Sequence, residues 1–172
     1  PKHVQDAFIA IEDERFYRHS GIDFESLARV LIKTLLSSDS SQGGGSTITQ
    51  QLAKTLYPRE DVGSPFKMVW IKLKEWITAV KLERNYTKDE IMTMYMNQIF
   101  FGSNAYGIKA AAQTFFGKNP IDLTVEEAAT LVGMVNKPTR YNPAINPDKS
   151  LARRNLVISR MEKNGFLTAQ ER

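Results

Sequence analysis

The chain has 172 residues, 42% hydrophobic and 24% charged, with a net charge of +4. This allows one domain with a real core, and the mild basic excess comes with no motif for nucleic acid. The absence of cysteine excludes disulfides, thiolate catalysis and cysteine zinc sites. No apolar run is long enough to span a bilayer, and no signal-peptide pattern is present.

Helical periodicity dominates and strand signals are scarce, so an all-α chain is expected. Val4 to Glu14 carries apolar residues at Val4, Phe8, Ile9 and Ile11. Glu12-Asp13 follows the run Ala7–Ile11 directly, which places carboxylates at the edge of a core. Desolvation there raises a carboxylate's pKa and makes it a better base. The plainer alternative is a solvated helix end that stops at Gly21. Asp23 can cap a second helix, with Leu27, Val30, Leu31, Thr34 and Leu35 as one stripe.

Residues 37–46 are Ser- and Gly-rich and read as a mobile loop. A glycine loop before a helix can bring bare N–H groups to an anion, but no Walker pattern closes it, and a plain connection explains it equally well. Thr47 with Gln50 makes a capping box for the helix that follows. Ile48, Leu52 and Leu56 share one face of it, and Thr47, Gln50, Gln51 and Lys54 share another. The second face suits sugar hydroxyls and a phosphate better than it suits an ordinary solvated surface.

Phe66 to Tyr86 is the longest periodic segment, with Val69, Leu73, Trp76, Ile77 and Val80 as the expected core stripe. Lys72 and Glu75 lie three apart on a different face and, as a surface ion pair, would contribute little. Thr87 with Glu90 and Thr124 with Glu127 are further capping boxes, for helices at Lys88–Gln98 and Val125–Asn136. Asn104 to Phe116 is small and apolar. Residues 137–147 hold three prolines and must turn. A last helix, Pro147 to Lys163, puts Arg153-Arg154 outward and Leu156, Val157 and Met161 inward, and Asn164-Gly165 caps it. The abrupt start at Pro1 and the helix-start pattern at Thr168–Glu171 predict a fragment of a longer protein.

These pieces, in order, resemble the peptidoglycan glycosyltransferases, the chain-polymerising domains of class A penicillin-binding proteins and monofunctional transglycosylases (glycosyltransferase family 51). Glu12-Asp13, Phe16, His19 and Gly21 resemble the first signature. Gly45 to Gln51 with Lys54 resembles the second, and Lys72 with Glu75 the third. Tyr95-Met96-Asn97, Phe101-Gly102, Gly107 to Ala111 and Phe115 to Gly117 resemble the later ones. The proline loop and Arg153-Arg154 also fit. Two positions depart: Ile71 stands where the family has arginine, and Phe115 where it has tyrosine. An aliphatic side chain cannot hydrogen-bond phosphate.

The resemblance implies an all-α, lysozyme-like, bilobed domain over residues 1–172 with its cleft between the lobes. The sequence is expected to be a fragment of a protein whose N-terminal membrane anchor, and in some relatives a C-terminal transpeptidase domain, lie outside it. The implied reaction is polymerisation of lipid II, with inversion at the donor anomeric carbon and release of polyprenyl pyrophosphate. Glu12 would be the base. Lys54, Arg29 and Lys72 would offset the pyrophosphate charge. Glu75 would orient those cations or hold a divalent ion. Ser46, Thr47, Gln50, Gln51 and Asn142 would contact substrate, Asp13 would support Glu12, and His19 would make a structural hydrogen bond. No cofactor is required by the sequence; a divalent cation such as Mg2+ or Mn2+ is what the resemblance adds.

Implied partners are lipid II, the growing glycan strand, the membrane surface and phosphoglycolipid inhibitors such as moenomycin, with no nucleic acid. The implied place is the outer face of the bacterial cytoplasmic membrane. Leu31, Leu35, Leu36, Phe66, Met68 and Trp70 would dip into lipid or, equally, form ordinary core. Two rival readings remain: a lipid II-binding domain weakened by Ile71, and a lysozyme-type hydrolase.

Overall fold

The structure is a computed structural model that describes residues 1–36, 45–57 and 64–168. The expected loop over 37–44, the polar connection over 58–63 and the helix start at the C-terminus lie outside the described residues. Eight α-helices are present among the described residues: α1 Lys2–Glu12, α2 Phe24–Leu36, α3 Ile48–Leu56, α4 Pro65–Asn85, α5 Lys88–Gln98, α6 Gly107–Phe116, α7 Val125–Met134 and α8 Pro147–Lys163. Extended pairing among them is limited to one isolated bridge, Phe100 with Tyr106. The all-α expectation is met.

The chain divides into two compact units. One comprises Pro1–Glu14 and Met96–Arg172, the other Arg15–Tyr95. In the first unit α1 packs on α7 and α8. Val4, Ala7 and Phe8 of α1 are fully buried, as are Ala128, Ala129, Leu131 and Val132 of α7 and Val157 and Met161 of α8. Phe8 meets Phe101 edge-on at 6.4 Å. Each fully buried side chain of this size contributes about 1.5–3 kcal/mol. The alanines on α7 leave room for α1 to approach closely. α7 begins at a complete Thr124–Glu127 capping box, and α8 ends at Asn164, with Gly165 left-handed.

Within the small, apolar segment α6 starts at Gly107, after Ser103 and Asn104, which both adopt positive φ. Two sequence expectations change here. Leu156 is exposed and Ile158 is buried instead. Arg153 does not point outward. It is half-buried, reaches the Gly133 carbonyl at 3.4 Å and lies over the Tyr141 ring.

In the second unit Phe16, Ile48, Leu52, Ala79, Ile91 and Met92 are fully buried. Leu56, expected on the same face of α3 as the buried Ile48 and Leu52, is the last residue of the helix and is exposed. The larger correction concerns α4. Val69, Leu73 and Ile77, three of the expected core stripe, are exposed, whereas Glu75 and Ala79 are buried. α4 turns its Lys72–Glu75–Ala79–Glu83 face inward, at spacings of three and four. Phe66, 88% exposed, and Met68 and Trp70 are not core. The side chains of Leu31, Leu35 and Leu36 lie outside the described residues.

Candidate active site

The second unit builds its polar face around the start of α3. The Thr47 hydroxyl accepts from the Gln50 N–H at 3.1 Å, and the Gln50 carbonyl oxygen Oε1 accepts from the Thr47 N–H at 3.1 Å. The capping box is therefore complete, at both of its bonds. It also redirects Gln50. That side chain is turned back into the protein and only 2% exposed, rather than standing on a solvated face. Its Nε2 has no hydrogen-bond partner among the described residues.

Thr47 is itself held from outside the helix. Its hydroxyl donates to the Gly21 carbonyl at 2.7 Å. Gly21 has φ +97°, and a Cβ there would sit 2.9 Å from the Ala79 backbone of α4. Only glycine fits such a turn at this separation. The Gly21 N–H donates to His19 Nδ1 at 3.1 Å, the structural hydrogen bond expected of His19. Asp23 caps α2 through the Ser26 N–H at 3.1 Å. Burial pushes the Asp23 carboxyl up, but the Ser26 hydrogen bonds and the Arg15 and His19 charges outweigh it and hold the pKa below the usual value.

Ser46, Lys72 and Glu75 come together beside this cap. The Lys72 ammonium is 3.4 Å from Ser46 Oγ and 2.8 Å from a Glu75 carboxylate oxygen. Glu75 is 7% exposed and the Lys72 side chain 41%, so the pair is buried on its carboxylate side only. Gln51 accepts at Oε1 from the Tyr95 hydroxyl of α5 at 3.0 Å. Lys54 stands exposed on α3. Arg29, also exposed, donates to Ser26 Oγ at 2.8 Å. Ile71 is half-buried on α4 next to Lys72.

The remaining expected residues belong to the first unit. Glu12 is the last residue of α1 and is half-buried. Asp13 is buried, and its N–H donates to the Ile9 carbonyl at 3.2 Å. The core-edge placement expected of the Glu-Asp pair is thus what the helix end provides. Asn142 is buried in the proline loop. Its amide donates to Ser103 Oγ at 3.2 Å and accepts from the Ala144 N–H at 2.9 Å, so both ends hold the turn. Among the described residues no three His, Asp or Glu side chains are grouped to hold a metal ion. The Glu75 carboxylate that the resemblance offers to a divalent ion is paired with Lys72.

A family profile described as Transglycosylase matches residues 1–162. The chain belongs to the transglycosylase family. This transglycosylase chain is 44% identical over 171 residues to penicillin-binding protein 1F of Bacillus subtilis (strain 168), covering 99% of this chain and 23% of that protein. It is 43% identical over 171 residues to penicillin-binding protein 1A of Escherichia coli (strain K12), covering 99% and 19%. The crystal structure of penicillin-binding protein 1A from Haemophilus influenzae is 30% identical, with a TM-score of 0.48 over 71% of this chain and 15% of that one. The chain spans 18% to 23% of the length of its first curated relatives.

Two features of this transglycosylase were not anticipated from sequence: the Tyr95–Gln51 hydrogen bond and a buried polar contact from α3 to Glu83 of α4. The spacing of Lys72, Glu75, Ala79 and Glu83 could have signalled the second, had the apolar stripe not been assumed to face inward.

Proposed function

We propose that this chain polymerises lipid II into β-1,4-linked glycan strands on the outer face of the bacterial cytoplasmic membrane. What carries the reading is the family match over residues 1–162. The 4-hydroxyl oxygen of the incoming GlcNAc attacks the anomeric carbon of the donor MurNAc. The new C–O bond forms as the bond to the polyprenyl pyrophosphate breaks, and inversion turns an α-linked donor into a β-linked product. The hydroxyl proton goes to Glu12, because a sugar alcohol is a poor nucleophile without a positioned base. Asp13 supports Glu12.

Pyrophosphate leaves readily and needs its charge neutralised more than it needs a proton. Lys54, Lys72 and Arg29 supply cations, and Glu75 fixes Lys72. Ser46 and Gln51 donate to sugar or phosphate oxygens, whereas Gln50 is turned inward by the cap and holds the start of α3. No step is routed through a divalent ion.

The lipid tail is accommodated by α4. Phe66, Met68, Val69 and Trp70 are exposed beside Lys67 and Lys74, a composition suited to an anionic membrane surface. Among the described residues no helix is long and apolar enough to cross a membrane. Phosphoglycolipid inhibitors such as moenomycin would compete for the same cations.

The test is incubation of the full-length protein with labelled lipid II, with magnesium or with chelator, read on a gel. A ladder of polymer in both arms is expected; no polymer in either overturns the reading. A second reading, a binding domain weakened at Ile71, is favoured by the half-buried aliphatic side chain beside Lys72. It predicts a large gain in rate at similar lipid II affinity in Ile71→Arg. An unchanged rate means another cation suffices.

A further inference from the structure

We infer that Glu83 is a positioning residue, which sets the rotation of α3 and so aims the lipid II-binding side chains. The inference rests on the function proposed above. The Thr49 side chain is fully buried, and its hydroxyl donates to Glu83 Oε1 at 2.6 Å. The same oxygen accepts from the Lys88 ammonium of α5 at 2.7 Å. That ammonium lies 4.5 Å from the centre of the buried Phe16 ring. The Glu83 and Lys88 side chains are 7% and 20% exposed, so the pair is shielded from screening.

Thr49 is the second residue of α3, between its cap and Gln50-Gln51. At about 100° per residue, Lys54 lies roughly 140° round the helix from Thr49, and Gln51 about 200°. Turning Thr49 inward therefore turns Lys54 and Gln51 outward. The capping box fixes where α3 begins, and the Thr47–Gly21 hydrogen bond pins that end at one point, about which the helix can still turn. Ile48 and Leu52 pack it, but apolar contact is non-directional. A short hydrogen bond to a carboxylate is directional and stronger than a neutral one.

α5 completes the arrangement. Lys88 and Tyr95 are two turns apart on it. Lys88 holds the carboxylate that Thr49 needs, and Tyr95 holds the Gln51 amide at 3.0 Å. One helix thus braces α3 at two points. Neither Thr49 nor Glu83 needs to touch substrate.

The test uses Thr49→Val, which keeps the shape and removes the hydroxyl, and Thr49→Ser, which restores it, in the full-length protein. Both are assayed with lipid II well below their unfolding midpoints. Thr49→Val should lose roughly ten- to hundredfold in kcat/KM, the scale of an ångström-sized misplacement. Thr49→Ser should stay near native. Glu83→Gln should fall between them, because it keeps an acceptor but not the charge for Lys88.

Native turnover in Thr49→Val, or equal losses in the Val and Ser variants, overturns the inference. Absence of polymer from the native protein would instead overturn the proposed function. The inference is then read on amide exchange of residues 48–56. Faster exchange in Thr49→Val than in Thr49→Ser supports it, and equal exchange overturns it.

Discussion

Gly21→Ala measures how much the second unit depends on one close approach. The residue has φ +97°, a conformation that costs an alanine about 1–2 kcal/mol. The added Cβ would lie 2.9 Å from the carbonyl carbon and oxygen of Ala79 and 3.0 Å from the Val80 nitrogen. All three are helix backbone and cannot swing aside, so overlap adds roughly 1–2 kcal/mol more. A total of about 2–4 kcal/mol lowers the midpoint of a chain this size by about 5–15 °C. The midpoint is read by far-UV circular dichroism, to which the helices of both units contribute, because Trp70 and Trp76 both belong to Arg15–Tyr95 and their fluorescence would follow that unit alone. Gly117→Ala is the control. Its φ is +64°, and nothing lies within 4 Å of the added atom, so it should cost strain alone. If Gly21→Ala proves no more destabilising than Gly117→Ala, the packing of Gly21 on α4 is not what the geometry says.

Asp23 gives a dependence on pH. Its folded pKa lies below the ordinary value, so its stabilisation is present above the unfolded pKa and is lost as pH falls through the folded one. Urea midpoints should show wild type ahead of Asp23→Asn above about pH 5, with the advantage shrinking toward about pH 3. The α4 surface gives another prediction. Phe66→Ser with Trp70→Ser should weaken sedimentation with anionic vesicles severalfold and leave the unfolding midpoint within about 2 °C, because exposed side chains contribute little to folding. A large fall in the midpoint with binding unchanged would return these residues to the core.

Local signals were legible where the physics is local. The capping boxes at Thr47, Thr87 and Thr124 depend on residues three apart, and all three form. α5 runs from Lys88 to Gln98 as expected from its cap. What failed was the facing of α4. Its apolar residues make a regular stripe, and periodicity alone cannot say whether a stripe meets core or another apolar medium. The inward face instead carries Lys72, Glu75 and Glu83; Lys72 and Glu75 pair with each other on α4, and Glu83 takes Thr49 and Lys88 from other elements. Spacing marks that face and its i,i+3 pair, but what meets Glu83 is set by tertiary packing. Gln50 illustrates the same limit. Its place on the helix face was right, but the cap that made the helix recognisable also drew the side chain inward. The family signatures marked Glu12, Ser46, Lys54, Lys72 and Glu75 before any geometry; Thr49 lies inside the second signature but received no role, because spacing does not show that Glu83 meets it.

The proton acceptor is the claim on which the mechanism turns. Full-length Glu12→Gln protein should bind labelled lipid II with affinity within about threefold of native, since Gln preserves the size of the side chain and one acceptor oxygen. It should form no polymer on a gel under conditions where native protein does, because a neutral amide cannot take the proton. Polymer forming at a near-native rate in Glu12→Gln would remove Glu12 from that role and contradict the account.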